Sequence, residues 1–213
     1  MKRLFTTIFA VAGICTLVSA QKTGLDLGVK VGANLSQIDG KYWENGYKAN
    51  FLGGAFLGLQ GPRFGVQIEG IFSQSTYVAG EGFNELYKDF FNQGKDSIKG
   101  GSFQVNYMSI PVLLNVKLLP FLKLQAGPQY SGIVNVKDKE RLLKDAKGLF
   151  KSGSLDGVLG VWIDLPMRFN AGARYIIGLS NINDNDGVAA GSQEISDAWR
   201  QKTLQIHVGY GLF

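Results

Sequence analysis

The chain has 213 residues, 29 of them glycine, and a formal net charge of +5. That length suits one domain, and so small a positive surplus is no footprint for nucleic acid. The single cysteine, Cys15, falls among the first twenty residues, so a chain cut behind them has neither disulfides nor thiol chemistry.

Those twenty residues, MKRLFTTIFAVAGICTLVSA, place Lys2 and Arg3 before an apolar run from Leu4 to Val18 and end on small residues. This is the layout of a secretory signal peptide, with cleavage expected after Ala20. Ile14 before Cys15 is a poor fit to lipoprotein processing. The expected organisation is a signal peptide over 1–20 and one domain over 21–213. Beyond Ala20 no apolar run reaches the eighteen or so residues of a membrane helix.

The stretch Leu25 to Gln37 then alternates: Leu25, Leu27, Val29, Val31, Ala33 and Leu35 oppose Asp26, Gly28, Lys30, Gly32, Asn34 and Ser36. A period of two predicts a strand with one apolar and one polar face. A second strand is expected from about Ala49 to Gln60, turned by Gly61-Pro62-Arg63. The third, Phe64 to Val78, sets Phe64, Val66, Ile68 and Phe72 against Gln67, Glu69, Ser73 and Ser75. The fourth, Phe103 to Leu119, contains Pro111, which predicts a bulge or an unpaired stretch. Pro120 and Phe121 turn it into a fifth, Leu122 to Lys137. A sixth is expected over Leu155 to Leu165, a seventh over Phe169 to Ser180, and an eighth over Thr203 to Phe213. In the last, Phe213 is out of phase with Leu212, Tyr210, Val208 and Ile206, which predicts an inward-turned Phe213 or a terminal irregularity.

Connections near residues 61, 120 and 166 are short, whereas those at roughly 37–48, 79–102, 138–154 and 181–202 are long. Eight strands with short turns at one end and long loops at the other is the pattern of an outer-membrane barrel, with both termini periplasmic. The fold class expected is therefore all-β: an eight-stranded antiparallel up-and-down transmembrane barrel with short helices in its long extracellular loops. Tyr42, Trp43, Tyr47 and Phe51 at one end, and Phe64, Phe121, Phe169, Tyr210 and Phe213 at the other, are expected as interfacial girdles. A periplasmic sandwich or lipocalin-like barrel is the alternative; it explains the polar faces and does less well with the loop asymmetry.

The segments GVKVGANLS at 28–36, VQIEGIFSQ at 66–74, YMSIPVLLNVK at 107–117, LQAGPQYSG at 124–132 and ARYIIGLSNI at 173–182 occur in an order that resembles the PorT-type outer-membrane β-barrel proteins of Gram-negative Bacteroidetes. The resemblance implies a barrel without catalysis or cofactor in the Gram-negative outer membrane. It also implies a role for some relatives in type IX secretion, so the function expected is that of an interaction or assembly subunit of an envelope or secretion complex acting through its long loops, the alternative being a stand-alone structural or lipopolysaccharide-contacting barrel.

An eight-stranded barrel has its interior filled by side chains. Lys30, Glu69 and Arg174 lie at comparable heights on polar faces, and buried charges must pair. A Glu69–Arg174 contact is expected, with Lys30 and Asp156 nearby, as structural cross-bracing rather than a proton or substrate site. His207, the only histidine, is expected in the lumen near Lys30. A lipid A-modifying enzyme would need it beside a serine, Ser180 or Ser109, and a carboxylate such as Glu69, within reach of lipid; a mid-lumen position argues against that.

Two loops show helical periodicity. Phe83, Leu86, Tyr87, Phe90 and Phe91 form one apolar face within 82–94, and Leu142, Leu143, Ala146, Leu149 and Phe150 another within 137–153. Such faces are expected to cap the mouth or to dock envelope or secretion proteins. Lys139, Arg141, Lys144, Lys147 and Lys151 are candidate contacts for lipopolysaccharide phosphates, the remaining partners being outer-membrane lipid. Asn183 to Gly187 has the wrong spacing for a calcium loop and reads as a turn, so no metal is expected. Gly191 to Trp199 is expected to hold one more short helix, N-capped by Ser192.

Overall fold

The computed structural model describes residues 24–40, 42–44, 46–80, 101–138, 150–184, 189–190, 193–194 and 198–212. The expected signal peptide and Phe213 lie outside them. The alternating segments form β1 (Gly24–Asp39), β2 (Lys48–Gln60), β3 (Phe64–Val78), β4 (Ser102–Leu119), β5 (Leu122–Asp138), β6 (Gly153–Asp164) and β7 (Phe169–Gly178). Two-residue strands β8 (Ala189–Ala190) and β9 (Gln193–Glu194) pair with each other, and β10 (Arg200–Gly211) completes the set. The hairpin of β8 and β9 stands where a helix over 191–199 was expected; Ser192 is outside the described residues.

The eight long strands close in the order β1-β10-β7-β6-β5-β4-β3-β2, every pair antiparallel. Closure satisfies the backbone groups of every strand, which a sheet with free edges cannot do in lipid. The turns after β2, β4 and β6 span only a few residues. That after β6 is a 3-10 turn, Pro166–Arg168, with Met167 and Arg168 in the left-handed region at φ 59° and 65°. The long connections all lie at the opposite end.

Pro111 sits in a ladder broken on one side. Pairing with β3 passes from Ile68↔Val112 to Ile71↔Ser109, while Pro111 still faces Gln129 of β5. The register shifts between β4 and β5 are elsewhere, between Asn106 and Tyr107 and between Lys117 and Leu119.

Burial inverts the soluble arrangement. Leu25, Val29 and Val31 of β1, Val66 and Ile68 of β3, Ile110, Val112 and Leu114 of β4, and Ile206 and Val208 of β10 are all exposed. Lys30, Asn34, Gln67, Glu69, Asn115, Gln125, Arg174, Gln205 and His207 are buried. An apolar outer wall around a polar interior is stable where the surroundings are hydrocarbon. Glycines on the inner row make room for large side chains: a Cβ on Gly28 would meet the Phe56 ring at 2.4 Å.

Candidate functional site

The interior is layered along the barrel axis. At the short-turn end, Lys123 pairs with Asp164 at 2.8 Å, and Asp164 also accepts from Trp162 Nε1 at 2.8 Å. Phe56 stacks edge-on against Trp162 at 5.1 Å, and Trp162 lies 5.3 Å from the His207 ring.

The next layer holds the charges. Arg174 of β7 grips Glu69 of β3 with both terminal nitrogens, Nη1 to Oε2 and Nη2 to Oε1, each at 2.7 Å. Lys30 Nζ donates to the same carboxylate. Gln67 Nε2 donates to Glu69 Oε1 at 2.6 Å, Asn115 Nδ2 to Gln67 Oε1 at 3.0 Å, and Gln125 Nε2 to Asn115 Oδ1 at 2.8 Å. Arg174 Nε returns to Gln125 Oε1 at 2.9 Å and closes the circuit. The ring Glu69–Gln67–Asn115–Gln125–Arg174 spans β3, β4, β5 and β7, and Lys30 ties in β1. Two fully buried cations sharing one carboxylate are tolerable because the amide side chains saturate the remaining donors and acceptors.

Asp156 is not part of this cluster. Its carboxylate lies in a hydroxyl belt nearer the long-loop end, accepting from Ser131 Oγ at 2.8 Å and Ser154 Oγ at 3.3 Å. The separation follows from position: Asp156 pairs with Gln129 and Gly178, several residues along the strands from Arg174, whose partner on β6 is Gly160. Ser109 bonds Ser131 at 3.0 Å, and across the barrel Ser75 and Thr203 both donate to Ser36 at 2.9 Å.

Above that belt the interior turns apolar. Ile38, Trp43, Tyr77, Ala79, Phe103, Val105, Tyr107, Phe150, Ile182 and Trp199 form one buried cluster. Trp43 meets Trp199 edge-on at 4.9 Å, Phe103 at 5.9 Å and Tyr77 at 6.0 Å; Phe150 lies 5.5 Å from Trp199. The connections are stitched into place by bridges Trp43↔Ala79 and Phe150↔Asn183. Asn181 Oδ1 accepts from the backbone N–H of both Asn183 and Trp199 at 2.9 Å. The cluster closes the mouth.

This plug corrects two expectations. Trp43 is no girdle residue but the centre of the plug, with Tyr42 packed on it, while Tyr47 and Phe51 remain exposed. Phe150 does not stand on a helical interaction face; it is extended, bridged and buried, because β5 runs on to Asp138 and the chain re-enters the mouth at Phe150. Lys151 is exposed and its N–H bonds Ile182 O at 2.9 Å. Phe83, Leu86, Tyr87, Phe90, Phe91, Leu142, Leu143 and Leu149, with Lys139, Arg141, Lys144 and Lys147, lie outside the described residues. The missed residues left one readable sign. Tyr77, Phe103, Val105 and Tyr107 share the parity of Ser75 and Ser109, so the inner row itself becomes apolar at the loop ends of β3 and β4.

Both His207 nitrogens lack a hydrogen-bond partner among the described residues. Ser109 is engaged with Ser131, and Ser180 sits at the exposed rim, accepting from Leu155 N–H at 2.9 Å. Histidine, serine and carboxylate are therefore not assembled into a nucleophile–base pair. No group of three or more metal-ligating side chains occurs among the described residues.

A family model described as an outer membrane protein beta-barrel domain matches residues 19–184. The chain belongs to this family. It is an eight-stranded barrel of the Gram-negative outer membrane, and its exposed apolar rows face lipid. Among solved structures, the chain is similar to Ail, the attachment invasion locus protein of Yersinia pestis, with 16% identity over 88% of this chain and 98% of that one and a TM-score of 0.43. Neisserial surface protein A shows 11% identity, coverage of 89% and 99%, and a TM-score of 0.47. OprG of Pseudomonas aeruginosa shows 14%, 91% and 96%, and 0.42. No curated protein matches the chain.

Proposed function

We propose that this outer-membrane barrel is a sealed, non-catalytic scaffold acting through the surface of its long connections. Its role is that of an interaction or assembly subunit in an envelope or secretion complex, of the type IX kind found with PorT-like barrels. The observation that carries this reading is the double closure of the lumen. The aromatic plug fills the mouth and the Glu69–Arg174 ring fills the middle, so solute passage through the lumen has no route. What remains for function is the outside, where the long connections concentrate sequence that the barrel does not need for closure. In this reading those connections are extracellular and both termini periplasmic.

The test is mild-detergent affinity purification from outer membranes followed by mass spectrometry. Recovery of envelope or secretion components in fixed stoichiometry supports the assembly role; a barrel that emerges with lipid alone overturns it. A second reading, contact with lipopolysaccharide phosphates, is favoured by the exposed cations Lys48, Lys137, Lys151 and Arg200 at the long-loop rim. It predicts salt-sensitive binding to lipopolysaccharide in the same preparation.

A further inference from the structure

Of the two fully buried carboxylates among the described residues, Glu69 holds two cations and Asp156 holds none. Ser131, Ser154 and Gln129, all neutral, donate to Asp156 Oδ2 at 2.8, 3.3 and 3.5 Å. Oδ1 is equally buried and accepts nothing. On the adjoining strand β7 the nearest cation is Arg174, which is committed to Glu69. It stands four residues from Gly178, the partner of Asp156, or about 13 Å at strand spacing.

A second orphaned acceptor lies at the same level. The Gln201 main chain of β10 closes over Gly178 from the side opposite Asp156: a Cβ on Gly178 would meet Gln201 N at 2.8 Å and O at 3.0 Å. Gln201 is 6% exposed and spends Nε2 on Thr203 Oγ1 at 3.1 Å, which leaves Oε1 without a donor. Two inward-facing acceptors thus flank a residue that has no side chain to come between them. They cannot bond each other. Ile176 of β7 and the plug residues Ile38, opposite Gln201 on β1, and Trp199 wall them in.

We propose that Asp156 and Gln201 hold a monovalent cation of the sodium class, enclosed in the lumen between the charged ring and the aromatic plug. A carboxylate taken out of water without a counter-charge is costly, and an ion between Asp156 Oδ1 and Gln201 Oε1 supplies that charge while filling both acceptors. Oxygen donors select a hard cation. One acid and one amide oxygen balance a single charge, whereas calcium asks for more ligand charge than this. The ion is captured as the barrel closes. The proposal depends on the sealed interior and not on which way the barrel sits in the membrane.

The experiment is urea unfolding of the full barrel from zwitterionic lipid vesicles, with sodium chloride replacing choline chloride at constant ionic strength. Four proteins are compared: the parent, Asp156→Asn, Gln201→Met and, as a carboxylate change on the exposed rim, Asp39→Asn. For the parent and Asp39→Asn, each tenfold rise in sodium beyond half-saturation lowers the unfolding constant about tenfold, as release of one ion on unfolding requires. Asp156→Asn shows no such dependence, and Gln201→Met reaches the same slope only at higher sodium. The site is overturned if sodium and choline act alike on the parent, or if Asp156→Asn keeps the parent's dependence. Should Asp156→Asn fail to refold, an unchanged dependence in Gln201→Met overturns it equally.

Discussion

Arg174 spends its guanidinium on Glu69 and Gln125, and nothing else in the lumen can take its place. Arg174→Met leaves Glu69 with Lys30 as its one cation beside the Gln67 amide, and Gln125 Oε1 unfilled, and should cost about 3–5 kcal/mol, the range for breaking a buried pair from one side. Denaturant unfolding from lipid vesicles measures it; an unchanged midpoint would sink the bracing role. Glu69→Gln should cost at least as much, because two buried cations then face each other. The triple change Lys30→Met, Glu69→Leu and Arg174→Met should recover part of the loss, since an apolar replacement leaves no orphaned charge. The placement of Lys30, Glu69 and Arg174 was legible because a period of two fixes the inward row and residue counts fix height. Asp156 was misplaced because height counted without shear ignores how far neighbouring strands slide against each other.

At the scale of the strand, alternation did most of the specifying. Strand bounds read from period two agree with the structure within a few residues, since one slip would turn every apolar side chain inward. The outward row also sets a depth-dependent tolerance. Val112→Arg, at the middle of β4, should cost about 2–4 kcal/mol, whereas Leu118→Arg, near the short turn, should cost about 0–1 kcal/mol. Equal costs in refolding titrations would mean that β4 does not cross the hydrocarbon at that level. Strand ends were harder to read. Trp43 and Trp199 lie in connections with no period of their own, and their burial comes from contacts between segments distant in sequence, which no local pattern encodes. Asn181, in contrast, sits inside the ARYIIGLSNI segment, and its side chain organises the re-entry of both Asn183 and Trp199.

For the whole molecule, two seals in series mean that neither alone decides permeability. Trp199→Ala should destabilise the barrel by about 3–5 kcal/mol, as large-to-small aromatic losses do. It should still show no single-channel conductance in planar bilayers, because the Glu69–Arg174 ring closes the bore below. Arg174→Met should likewise remain silent behind the plug. Conductance from either single variant would contradict the layered interior. The barrel as a class was legible from eight alternating segments and unequal connections. The plug was not, because closing a mouth is a property of the assembled ring.

The pairing of β1 with β10 joins the two ends of the chain. Across that seam Gln205 Nε2 bonds Asn34 Oδ1 at 3.0 Å and Thr203 Oγ1 bonds Ser36 Oγ at 2.9 Å, residues 171 and 167 positions apart. Contacts of such separation carry a large loop-closure entropy and form late. A polypeptide being threaded into the bilayer must therefore wait for its last strand before it can zip shut. Until then its inward polar row stays hydrated, and Lys30 on the first strand has no fixed distance to Arg174 near the last. The salt-bridged ring thus doubles as a latch: it engages only when the cylinder is complete, and once engaged it slows reopening.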